Sequence, residues 1–107
     1  MVIEQYDIFL AALDPAVGHE LKKSRPCVVI SPNEMNRNIS TAIVAPMTTK
    51  SKAFPSRIPV RFQNKEGWVV LDQIRTLDTR RFLRRLGRAD NGTIRNIKTA
   101  IHEIFVA

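Results

Sequence analysis

Apolar positions in the first two thirds of the chain fall in short runs broken by proline and polar clusters. Tyr6–Leu13 mixes aromatic and aliphatic residues and stops at Asp14-Pro15. Cys27–Ser31 follows Arg25-Pro26 as a continuous apolar run, and Thr41–Ala45 is another, ended by Pro46. Arg57–Phe62 alternates charged and apolar residues, which predicts a strand with one wet face. Pro59 inside it predicts an edge strand, because proline cannot donate to a ladder. Gly67–Leu71 reads as a buried strand. Short strands separated by turn signals predict a small sandwich or barrel.

The last stretch changes period. Asp90-Asn91-Gly92 is a turn, and Asp90 or Asn91 can cap a helix that starts there. Ile94, Ile97, Ile101, Ile104 and Phe105 then recur at helical spacing, with Arg95, Lys98, Thr99 and Glu103 on the rest of the wheel. This predicts an amphipathic C-terminal helix that packs its isoleucine stripe on the sheet. Thr79–Arg85 fits either a short helix or a last strand. Ser31–Ser40 and Ser51–Ser56 read as loops.

Length and composition narrow the class. The 107 residues are 44% hydrophobic and 25% charged, which fits one globular domain spanning 1–107 rather than a disordered chain. No apolar run approaches the ~20 residues of a membrane span. The N-terminus carries Glu4 and Asp7 among its apolar residues and does not read as a signal peptide. The single cysteine, Cys27, rules out an intramolecular disulfide and fits a reducing cytoplasm.

Charge changes the picture most. Seventeen Lys and Arg against ten acids give +7 and an isoelectric point near 10.3, which favours phosphate-rich partners. Arg75, Arg80, Arg81, Arg84, Arg85 and Arg88 crowd into one stretch, and arginine grips phosphate with a planar fork. The plainer alternative is a solvated basic face.

Several chemistries drop out. His19, His102 and Cys27 do not stand at zinc-ligand spacing, so no metal site is expected. His102 lies on the flank of the predicted helix, and Cys27 reads as a small core residue. The four glycines are scattered singly, so no phosphate-cradling loop exists and no cofactor is expected. Three clusters remain. The loop Asp14–Pro26 holds His19, Glu20 and Arg25, a kit for moving a proton beside a phosphate. Pro46–Lys52 places Thr48 and Lys50 at a strand end, where hydroxyls and lysines can hold phosphate oxygens, although a polar turn explains them equally. Asp72-Gln73-Ile74-Arg75 follows an apolar strand, with Asp72 and Arg75 either an ion pair or acid–base equipment.

In order and spacing, Asp7-Ile8, Leu13-Asp14-Pro15, Gly18-His19-Glu20, Arg25-Pro26 and Val29-Ile30-Ser31-Pro32 resemble the MazF/PemK family of toxin endoribonucleases. So do Ala45-Pro46-Met47-Thr48, Gly67-Trp68-Val69 and Leu71–Asp78, and the likeness covers nearly the whole chain. The resemblance implies a mainly β fold, an SH3-like barrel of the MazF/PemK/CcdB type with a C-terminal α-helix, usually a homodimer. It implies metal-independent cleavage of single-stranded RNA at short sequences by 2′-OH attack, leaving 2′,3′-cyclic phosphate and 5′-OH ends. It also implies an antitoxin whose acidic tail lies in the RNA groove, and binding of operator DNA together with that antitoxin.

Carried over by position, Arg25 matches the family's central catalytic arginine, and Thr48 the hydroxyl residue that helps hold the scissile phosphate. Glu20 matches an acidic position proposed as a base, and His19 a histidine of the PemK-like branch. Asp72 matches that branch's aspartate base, but the arginine expected two residues earlier is Val70 here. That breaks the Asp–Arg pair and shifts the weight to Arg25 with Thr48. Lys50, Phe54, Gln73 and Arg75 are the expected RNA contacts. Trp68 reads as core or dimer packing before it reads as a base-stacking platform. Two other readings share the fold: a gyrase-poisoning toxin without nuclease activity, and a weakened relative that mainly binds antitoxin and operator DNA. The retained Gly18–Pro26 and Pro46–Thr48 segments favour the nuclease.

Overall fold

The computed structural model describes residues 1–106. Seven strands form one curled antiparallel sheet: β1 (Asp7–Ala12), β2 (Ser24–Val29), β3 (Thr41–Thr48), β4 (Arg57–Phe62), β5 (Lys65–Val70), β6 (Arg75–Asp78) and β7 (Phe82–Arg88). Their order is β4-β5-β3-β2-β1-β7, with β6 also paired to β3. Among the described residues two α-helices complete the fold, α1 (Asn33–Asn38) and α2 (Asn91–Phe105).

The continuous apolar runs have a simple cause. Successive residues of a strand point to opposite faces, and both faces of the central strands are covered. Ile8, Val28 and Ala45 join one core cluster with Leu71, Ile94 and Ile97 beneath α2. Phe9, Cys27, Val29 and Val44 join a second with Leu77 and Phe82 on the opposite face. Phe9 and Phe82 meet edge to face there, 5.3 Å between centroids.

The sheet curls until its two end strands meet. A Cβ at Gly87 of β7 would stand 3.2 Å from the Phe62 ring of β4, so the absent side chain lets the curl close. β4 and β5 are joined by Gln63-Asn64, both at positive φ, with Phe62 facing Lys65, a two-residue hairpin of the primed type. Pro59 sits on the edge strand, as its missing donor requires.

Pro46 does not end β3, contrary to the sequence expectation. β6 pairs with Thr41–Val44 and β5 with Met47 and Thr48, along one edge of β3. A 3₁₀ turn, Leu71–Gln73, carries the chain from one pairing to the other. Ala45 and Pro46 face the gap, where a missing N–H breaks no ladder bond. Thr79–Arg85 resolves into both expected forms, a 3₁₀ turn at Thr79–Arg81 and then β7. α1 lies within the expected loop Ser31–Ser40. It buries none of its residues, so it left no periodic apolar signal.

α2 starts at Asp90, whose Oδ1 accepts from Thr93 N at 2.7 Å. Ile94, Ile97 and Ala100 are buried, and Ile101 packs partly against the same cluster. The stripe fails in the last turn, where Ile104 and Phe105 are 39% and 61% exposed. That turn runs past the sheet it was expected to cover.

Candidate active site

The strand registers set a row of side chains across one sheet face. Ala11 of β1 pairs with Arg25 of β2. The β2–β3 register joins Cys27 to Pro46, and Arg25 and Thr48 lie beyond that pair on the two strands and line one cleft. Thr48 pairs with Trp68 of β5, and Trp68 with Pro59 of β4. Arg25, Thr48, Glu66, Gly67 and Trp68 line a cleft of ≈ 190 Å³ at this end of the sheet.

Each wall is held locally. Arg25 Nε donates to Lys22 O at 3.0 Å, which uses one of the five guanidinium protons and anchors the side chain. Thr48 is buried, and its hydroxyl accepts from Lys50 N at 3.2 Å and donates to Lys50 O at 3.4 Å. This local turn ends β3 and orients Oγ1. Gly67 fixes the strand spacing, since a Cβ there would come within 2.7 Å of Thr48 O.

The 3₁₀ turn after β5 holds the two loops that flank the sheet end. Asp72 takes a two-pronged bond from Arg57, with Nε–Oδ1 and Nη2–Oδ2 both 3.1 Å, and accepts from the Ser56 hydroxyl at 2.8 Å. Arg57 Nη1 also donates to Ser51 Oγ at 2.8 Å, and its guanidinium lies 4.9 Å over the Phe54 ring. The hydrogen-bonded Arg57 holds the Asp72 carboxyl below the usual range, with Ser56 adding to the effect. Gln73 turns the other way. Its Oε1 accepts from Leu21 N at 2.7 Å, and its Nε2 donates to His19 O at 3.3 Å.

Of the two readings offered for Asp72 and Arg75, the ion pair is not the one formed: Asp72 pairs with Arg57. This contact also revises the broken Asp–Arg pair. Arg57 stands opposite Val70 in the β4–β5 ladder, so the guanidinium missing at position 70 arrives from the neighbouring strand. The alternating pattern of β4 marked Arg57 only as solvent-facing. Glu66, a carboxylate on the cleft wall, also went unflagged because it lies in a hairpin arm without a motif of its own.

The remaining candidates are dispersed. His19 and Glu20 are exposed on the β1–β2 loop, where Glu20 Oε1 accepts from Val17 N at 2.7 Å. Lys50 and Phe54 are exposed on the β3–β4 loop, and Arg75 is half-buried in β6 opposite Val44. Gln73 commits both ends of its amide to loop backbone. Cys27 is fully buried, and burial pushes its thiol up to about 12, which fits the core reading and no reactive role.

The arginine-rich stretch is largely engaged within the fold. Arg80 pairs with Asp78 at 3.0 Å, and Arg81 donates to Ala12 O and Asp14 O. Arg85 and Arg88 lie 3.2 and 3.7 Å from the buried Asp7 carboxylate. Arg80, Arg85 and Arg88 still keep 89%, 52% and 49% of their side-chain surface exposed, so these contacts orient the arginines without removing them from solvent.

Comparison with known proteins adds the family. Residues 4–105 match the family described as "PemK-like, MazF-like toxin of type II toxin-antitoxin system". The chain is 30% identical to endoribonuclease EndoA of Bacillus subtilis over 94% of its own length and 92% of that protein. It is 31% identical to endoribonuclease toxin MazF of Escherichia coli K12 over 66% of its length, spanning 64% of that relative. The crystal structure of MazF from Deinococcus radiodurans superposes with a TM-score of 0.88 at 23% identity, covering 100% and 99% of the two chains. A MazE–MazF structure from that organism gives 0.80 at 24% identity, covering 97% and 96%. These two structures show a shared fold.

Proposed function

Since the chain belongs to the PemK-like, MazF-like toxin family of type II toxin–antitoxin systems, we propose that it is an endoribonuclease that cuts single-stranded RNA without a metal ion. The observation that carries this reading is the shared cleft of Arg25 and Thr48. The ribose 2′-oxygen attacks the adjacent phosphorus, the P–O5′ bond breaks, and the products are a 2′,3′-cyclic phosphate and a 5′-OH. Negative charge grows on the non-bridging oxygens during attack. Arg25 meets it with paired N–H donors, and the Thr48 hydroxyl adds another by turning its proton from the long Lys50 O contact to the phosphate.

The 2′-OH must lose a proton and the leaving oxygen must gain one. Arginine is a poor base, because a guanidinium holds its proton tightly. By side-chain chemistry Glu20 and His19 suit these transfers better; they are exposed on the loop that leads into Arg25, beyond the residues that line the cleft. Asp72, bound by Arg57 and Ser56, serves as a loop anchor in this reading. The +7 charge suits RNA and also an acidic antitoxin segment, and the solved MazE–MazF complex supports an antitoxin partner. A homodimer working in the cytoplasm, with operator DNA bound together with the antitoxin, completes the proposal.

Purified protein should cut a long unstructured RNA in the presence of EDTA. Arg25→Ala should lower the rate by roughly 10²–10³-fold or more, as loss of a donor to developing charge does. Cutting that survives Arg25→Ala, or that requires added metal, overturns the mechanism. Intact RNA with a folded protein points to the binding-protein reading instead.

A further inference from the structure

We propose that Trp68 is a base-stacking platform for the nucleotide beside the scissile phosphate. The inference rests on the nuclease reading of the cleft and deepens it. Trp68 is the only tryptophan in the chain. It is half-buried, yet it joins neither core cluster, either as a member or as a residue packed against one. Of the plainer readings, core packing finds no support in these clusters, and packing between copies is separated by the test below.

Its position favours stacking. Trp68 pairs with Thr48, β5, β3 and β2 are consecutive in the sheet, and Arg25, Thr48 and Trp68 line one cleft. Two strand spacings, roughly 10 Å, separate the Trp68 and Arg25 backbones, the scale of one nucleotide. Trp68 lines the cleft that contains Arg25 and Thr48, and also an adjoining groove bounded by Pro59, Arg61 and Glu66. A phosphate held by Arg25 and Thr48 thus leaves the neighbouring base over the indole. Arg61, whose side chain is 67% exposed and 3.6 Å from Glu66, stands at the far side of that groove to meet the following phosphate. Single-stranded nucleic acid sites combine these same elements, a cationic track with aromatic faces.

The lone tryptophan makes the test direct. A 2′-O-methylated single-stranded RNA oligonucleotide cannot be cleaved by 2′-OH attack, so it probes binding alone. Adding it to the intact protein should quench and shift tryptophan emission saturably, in step with the anisotropy of the same labelled oligonucleotide. On cleavable RNA, Trp68→Leu should raise KM roughly ten- to hundredfold, the range of one lost stack, with kcat little changed. Trp68→Phe should restore most of the affinity.

Oligonucleotide binding without any change in emission overturns the proposal, whatever the variants do. So does a folded Trp68→Leu protein with the KM of the original. Emission that responds to protein dilution but not to RNA assigns the indole to a contact between copies instead. Failure of the intact protein to cut unmodified RNA defeats the nuclease reading, and emission with the modified oligonucleotide still reports separately on stacking.

Discussion

Gly67 has no side chain because the Thr48 carbonyl occupies that space, 2.7 Å from where a Cβ would sit. Gly67→Ala should push β5 away from β3 at the one point where Thr48 is positioned. The expected cost is about 1–3 kcal/mol of stability, typical of overpacking, together with a fall in kcat/KM on RNA. Denaturant midpoints and cleavage rates check this, and an alanine variant matching the original in both would show that the close approach does not set the site. Asp72 gives a pH prediction. Its folded pKa lies below the ordinary 3.8, so its pair with Arg57 contributes stability above that value. The contribution is lost as pH falls through the depressed folded pKa. Asp72→Asn should flatten this acid-side loss in thermal unfolding, and an unchanged acid profile would remove the pair from the account. At this scale Arg25 and Thr48 stand out in the sequence because each belongs to a short ordered motif, and one cleft holds both. The Arg57–Asp72 pair does not stand out, because 15 positions separate its members and alternation explains Arg57 without it.

The 3₁₀ turn Leu71–Gln73 works as an element rather than as separate residues. Asp72 fixes the β3–β4 loop through Arg57 and Ser56, and Gln73 fixes the β1–β2 loop through His19 and Leu21. Loops are drawn from the low-stability parts of a fold unless they are tied down. Gln73→Ala should therefore speed hydrogen exchange at the Leu21 amide and weaken RNA cleavage, while leaving exchange in β1–β3 unchanged. Unaltered Leu21 exchange would show that the glutamine anchors nothing in solution. Among the elements, the strands with strong apolar runs and the helix with a capped, periodic start were readable in advance. β3 beyond Pro46 was not, because a proline ends a strand only where its N–H is needed. α1 buries nothing, and the exposed last turn of α2 keeps the spacing of the turns before it, so pattern alone could not separate them.

Over the whole molecule, basic charge and curled sheet act together. The net +7 draws phosphate-rich ligands, yet Arg80, Arg81, Arg85 and Arg88 are tied to Asp78, to backbone carbonyls and to Asp7. The arginines of that stretch thus combine internal contacts with exposed charge. Partners 78 positions apart, such as Asp7 and Arg85, become visible only when the sheet order is known. The curl that joins β4 to β7 leaves the Arg25–Thr48 cleft at one end of the sheet, and the central claim concerns the chemistry of that cleft. End-group analysis of RNA incubated with the protein and EDTA, beside Arg25→Ala, tests it most directly. Fragments bearing 2′,3′-cyclic phosphate and 5′-OH ends, lost in the variant, are the predicted result. Fragments with 3′-OH and 5′-phosphate ends, or the same fragments from Arg25→Ala, would contradict it.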